Sequence, residues 1–347
     1  MKSVRIVGAG LIGTSIGLGL AAQGYAIRMV DADSKRELLA QDLVGKPEDS
    51  AASVVVFALP TSSLSLVMSQ EYAANPNAIF IDVGSTKTKP QREIESISGL
   101  SARFCGTHPM AGREFGGPES ARADLFEGRA WIYTPGDAVE EEVVNSVVSL
   151  IESLGAIPIR MGVGDHDAAV ALISHLPQIS ASLLASQLIG APAEWLTLAG
   201  QGLRDSTRIA ASDPQLWTEI ISLNRSQILP LLWRLREDLD GLISNLNLNQ
   251  FVEKSLKNGN LGRASIPGKH GGRNRDYFFL PIVIEDKPGQ LALLFQECAD
   301  AGVNIEDLSI EHSPGQFTGL ITLALSEKDS LKLTDHLGAR GWKVHGL

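Results

Sequence analysis

The sequence predicts an α/β protein in three modules: an N-terminal open α/β sheet over 1–163, an all-α segment over 164–257, and, past a linker at 258–275, a C-terminal βαββαβ sandwich over 276–347. Three observations lead there. Short apolar runs bounded by turn residues alternate with helical stretches as far as Met161. From Asp165 to about Lys257 the period is helical, with few strand candidates. The last ~70 residues return to strand–helix alternation. A chain of 347 residues with 44% hydrophobic side chains can bury more than one core.

Charge narrows the function classes. The chain has 30 Lys and Arg against 40 Asp and Glu, a net charge of −10. This balance argues against general nucleic-acid or acidic-membrane binding, and it requires any anionic substrate to be caught in a local cationic pocket. Cys105 and Cys298 stand far apart and form no CxxC, which argues against a disulfide scaffold or zinc knuckle. No apolar run approaches the ~18–20 residues of a membrane span. The opening MKSVRIVGAG is strand-like by Val4 and leaves no room for a leader segment, so the cytoplasm is the expected location. The 34 glycines cluster at 8–24, 106–117 and 259–272.

The first module opens with an apolar run at 4–7, then Gly8-Ala9-Gly10-Leu11-Ile12-Gly13 and a small-residue helix through Ala22. GxGxxG between a strand and a helix is the dinucleotide fingerprint of a Rossmann domain. Gly8 permits the tight turn, Gly10 lets backbone approach a pyrophosphate, and Gly13 lets the helix pack on the strand. The helix start, with Leu11 and Ile12, offers N–H donors to the phosphates. Alone the motif also fits an ordinary glycine-rich turn. The strand at 26–30 ending in Asp31 strengthens it, because a carboxylate there accepts both ribose hydroxyls and repels a 2′-phosphate. NAD is therefore favoured over NADP, a preference softened by Lys35 and Arg36. Apolar runs at 54–59, 79–83, 103–106, 130–134 and 157–161 continue the sheet, with polar residues clustered past their carboxyl ends.

In the second module, 165–189 reads as a long apolar helix carrying Ser174-His175-Leu176-Pro177. Pro177 frees the carbonyl of Ile173 and predicts a kink beside His175. Asp213-Pro214 reads as an N-cap followed by a first-turn proline, opening a helix with Leu216, Trp217, Ile220 and Ile221 on its buried face. Pro230 is expected to interrupt before a further helix at 231–248. This much apolar helix surface predicts burial against a second copy, a homodimer. Between Lys254 and Arg275 lie six Lys or Arg, five glycines and no acid, which reads as an extended tether. Without aromatics it makes a poor nucleic-acid binder. Beyond it, strands at 278–284, after Gly302 and at 317–325, helices at 290–301 and 329–340, and a last strand at Lys343-Val344 form a ferredoxin-like sandwich.

Candidate chemistry sits at the strand ends. His108, in Gly106-Thr107-His108-Pro109, titrates near working pH and suits the removal of a hydroxyl proton during hydride transfer. The same histidine would also serve to cap a loop. Ser85 can orient His108 or bond the hydroxyl, and it can equally N-cap the next helix. Arg204 and Arg208, four apart, suit bidentate carboxylate binding, and they also suit a solvated surface. His175 on an apolar helix is more often a core histidine. Asp165-His166-Asp167 reads as a helix start, and no cluster has metal-ligand spacing.

Together, Gly8–Gly13 with Asp31, Gly84-Ser85-Thr86-Lys87, Thr107-His108-Pro109-Met110-Ala111-Gly112-Arg113-Glu114, Ser174-His175-Leu176-Pro177 and Arg204-Asp205-Ser206-Thr207-Arg208 resemble the prephenate dehydrogenases of tyrosine biosynthesis. The tail resembles an ACT domain, a small-molecule-sensing module. The resemblance implies a Rossmann domain with a helical dimerisation domain, and an NAD-dependent oxidative decarboxylation of prephenate to 4-hydroxyphenylpyruvate. It makes His108 the base and Ser85 its orienting partner. It places a substrate carboxylate on Arg208, with His175, Asp205, Trp217, Glu114 and Arg204 around the pocket. Gln178 stands where many members carry a second histidine, which leaves arogenate open as substrate. In the tail the resemblance points to Gly289, Asn304 and Ile305 as contacts for an effector, with tyrosine the first candidate. A purely dimer-forming module is the lesser alternative for that tail.

Two other classes compete. β-Hydroxyacid dehydrogenases share the plan but use a lysine base on the first long helix, where 165–188 has no lysine. A non-catalytic NAD- and amino-acid-binding regulator would keep the fold and dispense with His108.

Overall fold

The computed structural model describes residues 3–47, 51–113, 116–266, 277–312 and 318–345. It divides into two compact units, Met1–Asp238 and Leu239–Leu347. The first holds a seven-stranded sheet of β1 (Ser3–Val7), β2 (Ala26–Val30), β3 (Val54–Phe57), β4 (Ile79–Asp82), β5 (Phe104–Pro109), β6 (Ala130–Pro135) and β7 (Ile157–Arg160), in the order β2-β1-β3-β4-β5-β6-β7. All neighbours are parallel except β5 and β6. Strands such as VVVF are apolar throughout because both sheet faces are covered. One face packs Ile6, Ile16, Met29 and Trp131; the other packs Phe57, Met68, Phe80 and Phe104. The covering helices are α1 (Leu11–Ala22), α2 (Ser34–Val44), α3 (Thr61–Ala74), α4 (Thr88–Glu95) and α5 (Glu141–Ser153). The strand order reverses between β1 and β3, so a crevice opens at their carboxyl ends.

The chain then leaves the sheet through α6 (Val163–Val170), a π-helical turn at Ala171–His175 and α7 (Leu176–Ser186). Pro177, in the first turn of α7, cannot donate to the carbonyl of Ile173. The expected irregularity beside His175 is therefore a π-turn rather than a break. By length and composition alone the 24-residue run Val163–Ser186, with mean hydropathy 1.5, is apolar enough to cross a membrane, against the expectation that no run approaches that. Its polar residues His166, Asp167, His175 and Gln178 are buried inside the protein.

After α8 (Ala193–Leu196) and α9 (Gln201–Thr207) come α10 (Pro214–Leu223), α11 (Arg225–Ser244) and α12 (Asn249–Ala264). Asp213 caps α10 as expected, its Oδ1 accepting from the Gln215 N–H at 2.8 Å. Two expectations are corrected. Pro230 lies inside α11 rather than dividing it, since only the Ser226 carbonyl, in the first turn, loses a partner. The tether expected from 258 is helical as far as Ala264, with Arg263 in the last turn answering the C-terminal dipole. Residues 267–276 of that tether lie outside the described residues.

The second unit contains β8 (Phe278–Glu285), α13 (Gln290–Asp300), β9 (Asp307–His312), β10 (Thr318–Leu325), α14 (Glu327–Ala339) and β11 (Lys343–Val344). Its antiparallel sheet runs β11-β8-β10-β9, and Leu280, Ile282, Ile321 and Leu323 meet Leu294, Leu333 and Leu337 in a separate core.

Candidate active site

The site grows from two turns at the carboxyl edge of the first sheet. Between β1 and α1, Gly8 has φ +111°, and a Cβ there would stand 2.1 Å from the Ala58 carbonyl oxygen. A Cβ on Gly13 would stand 2.0 Å from the Gly8 carbonyl oxygen. Gly10 is the contrast: nothing lies within 4 Å of its Cβ position. No side chain caps the start of α1 at Gly10, so the N–H groups of Leu11 and Ile12 face that open space. The Asp31 carboxylate braces the turn, with Oδ2 accepting from the Ala9 N–H at 2.6 Å and Oδ1 from the Asp33 N–H at 2.9 Å. An open cradle over a bare helix N-terminus, ending in a carboxylate, fits a dinucleotide.

Between β4 and α4, Lys87 is 1% exposed and pairs with the equally buried Asp82. Asp82 also accepts from the Gly84 N–H at 3.0 Å and the Thr107 N–H at 3.3 Å. The ion pair thus pins the Gly84-Ser85 loop to β5. Ser85 is half-buried there, and among the described residues no hydrogen bond joins it to His108.

His108, at the end of β5, has its Nδ1 2.9 Å from Nε2 of His166. The Nδ1 of His166 lies 2.8 Å from Asp167 Oδ1. Asp167 is itself braced, accepting from the N–H of Lys87 at 2.8 Å and of Thr88 at 2.9 Å. Burial works against its charge, but the bonds from His166, Thr88 and Lys87 prevail and hold it at about 2. Burial, reinforced by His166, Lys87 and His175, holds His108 well below the usual histidine range. It is neutral, and therefore a base, at pH 7.

His175 is 1% exposed, and its ring meets Trp217 edge-on at 5.9 Å. Asn224, at the end of α10, donates its amide to the Asp167 carbonyl at 2.7 Å and lies 3.1 Å from His175 Nδ1. Burial holds His175 at about 4. The Ser62 N–H, in the first turn of α3, donates to Glu219 Oε1 at 2.8 Å and ties α10 to the sheet edge.

The structure therefore joins His108, His175 and Trp217 through His166, Asp167 and Asn224. Arg204 and Asp205 are exposed on α9 and bond locally, to the Ala199 carbonyl at 3.4 Å and the Gln201 amide at 2.7 Å. Arg208, also exposed, opens the turn Arg208–Ala211 that packs on α7. Glu114 lies outside the described residues. In the second unit Gly289 caps α13 with φ +91°, the Asn304 amide donates to Glu306 Oε1 at 3.1 Å, and Ile305 packs on the core.

Sequence reasoning missed His166, Asp167 and Asn224 as site groups. Asp165-His166-Asp167 does open a helix, but its middle and last members turn inward. A polar pair directly after the last strand of a sheet, on an apolar helix, was the available signal.

Two family models match the chain: "Prephenate dehydrogenase, nucleotide-binding domain" over 17–159 and "Prephenate dehydrogenase, dimerization domain" over 163–257. The "Probable prephenate dehydrogenase NovF" of Streptomyces niveus is 28% identical over 365 residues, covering 99% of this chain and all of that one. The crystal structure of prephenate dehydrogenase from Aquifex aeolicus with hydroxyphenyl propionate and NAD+ is 28% identical, with a TM-score of 0.68 over 77% of this chain and 99% of that one. Synechocystis arogenate dehydrogenase is 27% identical, with a TM-score of 0.62 over 75% of this chain and 98% of that one.

Proposed function

The chain belongs to the prephenate dehydrogenase family of NAD-dependent dehydrogenases, and on that premise we propose that its substrate is prephenate, converted to 4-hydroxyphenylpyruvate and carbon dioxide. The observation that carries this reading is His108, neutral at the sheet edge and on the same side as the open glycine turn. NAD+, held by the turn Gly8–Gly13 and Asp31, supplies a two-electron hydride acceptor. His108 takes the C4 hydroxyl proton, a role worth about 10²–10⁴-fold in rate. Ser85 bonds the same hydroxyl. Arg208, with Arg204 near it, receives a carboxylate of the dianion, which a chain of net charge −10 must attract locally. His175, Trp217 and Asp205 are assigned to the ring's pocket; Glu114, outside the described residues, is assigned to it on the sequence motif alone.

His108→Asn tests this. Turnover is expected to fall by about 10²–10⁴-fold with NAD+ affinity kept. Near-normal turnover would sink the assignment of His108 as the base, whereas a wild-type chain that binds NAD+ without turnover would favour the regulator reading.

Arogenate is the second substrate reading, favoured by the neutral Gln178, whose Oε1 accepts from Ser212 Oγ at 3.3 Å. Kinetics with each substrate, with NAD+ and NADP+, decide between them. The strand order and helix placement of the second unit support an ACT-type module. Tyrosine is proposed as its effector, contacting Gly289, Asn304 and Ile305 and shifting the enzyme to a less active state. Inhibition by tyrosine should weaken in full-length Asn304→Ala, and unchanged inhibition would count against the site. The exposed apolar face of the helical segment supports a homodimer, and a cytoplasmic location is proposed with it.

A further inference from the structure

We propose that His166 and Asp167 are positioning residues for His108: they fix its tautomer and hold the substrate's proton between oxidation and aromatisation. This rests on the reading of His108 as base. Asp167 has its oxygens on two backbone N–H donors and on His166 Nδ1, so it is a pure acceptor and His166 Nδ1 carries a hydrogen. In neutral His166 the Nε2 then holds a lone pair, and the only complement at 2.9 Å is a hydrogen on His108 Nδ1. His108 Nε2 is left with its lone pair for the substrate. The chain of acceptors selects the one tautomer in which His108 is a base on its outer nitrogen.

The reaction supplies a reason for the second histidine. Prephenate carries two negative charges; 4-hydroxyphenylpyruvate carries one and carbon dioxide none. With hydride leaving C4, charge and atoms balance without releasing a proton. The hydroxyl proton taken during oxidation must therefore return to the same oxygen, which ends as a phenol. As the O–H bond breaks, its electron pair becomes the second C4–O bond, and the proton bonds to His108 Nε2. The proton on His108 Nδ1 then passes to His166 Nε2, so the positive charge stands beside the Asp167 carboxylate rather than beside the Lys87 ammonium. When the C–CO2 bond breaks and its electrons enter the ring, the C4 oxygen recovers a proton from His108, and His166 returns its own.

The charged and titratable groups around His108 are His166 and Asp167 on α6, His175 on the π-turn, and Lys87 with Asp82 beneath the β4–α4 loop. Only Asp167 favours the protonated ring among the groups acting on it directly.

Asp167→Asn, His166→Gln and His108→Asn in the full-length chain, assayed with prephenate and NAD+, test the proposal. Asp167→Asn should lower kcat about 10- to 100-fold and move the acid limb of its pH profile to lower pH, because the imidazolium loses its carboxylate. His166→Gln offers an oxygen to His108 Nδ1–H but cannot take the proton. It should lower kcat comparably, with KM and NAD+ affinity within about threefold. A merely structural role would lower thermal stability and leave the limb in place. If Asp167→Asn fails to fold, His166→Gln alone decides. Should His166→Gln keep wild-type kcat and pH profile while His108→Asn is inactive, the relay is overturned and the base assignment stands. Should His108→Asn itself turn over normally, the base assignment falls first.

Discussion

At Asn224 one amide serves two site groups, donating to the Asp167 carbonyl and to His175 Nδ1 while 1% exposed. Asn224→Ala adds no bulk and removes both bonds, leaving a carbonyl and an imidazole nitrogen buried without donors. The expected cost is about 1–3 kcal/mol in denaturant unfolding. Because Asn224 donates to Nδ1, neutral His175 carries its hydrogen on Nε2. The same histidine gives folding a pH dependence whose sign follows from its depressed value. Unfolded, it binds a proton below its ordinary 6.5; folded, burial delays this to about 4. Between those values the unfolded chain holds a proton that the folded one lacks, so stability falls as pH drops through the window. His108, also depressed by burial, adds to the slope. Asp167, held at about 2, contributes stability that is full above its ordinary 3.8 and lost below it, as pH falls toward 2. Thermal melts from pH 7 to 3 should show the loss beginning near 6.5. A flat profile down to 4 would mean that neither histidine is held neutral by the fold.

Elements were legible where a local rule decided them. Every strand of both sheets was placed to within a few residues, because short apolar runs between turn residues permit little else. The glycine turn was readable position by position, and it separates two predictions. Gly8→Ala puts a methyl group 2.1 Å from a backbone oxygen at φ +111°, so the β1–α1–β3 junction should lose stability, seen as a lower Tm. Gly10→Ala meets nothing in the protein, so Tm should hold while NAD+ affinity drops, measured by titration calorimetry. Equal losses of Tm in both variants would remove the distinction between scaffold and cradle. The π-turn before Pro177 was only half legible. Proline announced a missing hydrogen bond, but whether a helix answers by breaking or by taking in a residue depends on tertiary packing. Pro230 shows the other outcome, a helix that continues. His166 and Asp167 were hidden for a related reason: which side of α6 meets β5 is decided by the sheet's closing strand, far from the helix's own pattern.

For the whole molecule, the helical segment leaves apolar surface that a free chain would not keep. On the run Val163–Ser186, Leu172, Ile173, Leu183 and Leu184 are 53%, 62%, 58% and 43% exposed, while His166, Asp167, His175 and Gln178 of the same run are buried. Trp195 and Leu198 add exposures of 69% and 81%. Large apolar side chains left exposed in such number on one segment are what an interface would cover. The partner consistent with a matched dimerisation domain is a second copy. Two copies of net charge −10 repel at long range, so their association must come from apolar burial, and salt, by screening the repulsion, should tighten the dimer. Light scattering should give twice the chain mass, with a dissociation constant that falls as salt rises. Leu183→Glu with Leu184→Glu places charge on that face without touching His166, Asp167, His175 or Gln178. The double variant should run as a monomer with unchanged helicity by circular dichroism. A double variant that stays dimeric would move the interface elsewhere on the segment, and a dimer loosened by salt would show that ion pairs rather than apolar contacts hold it.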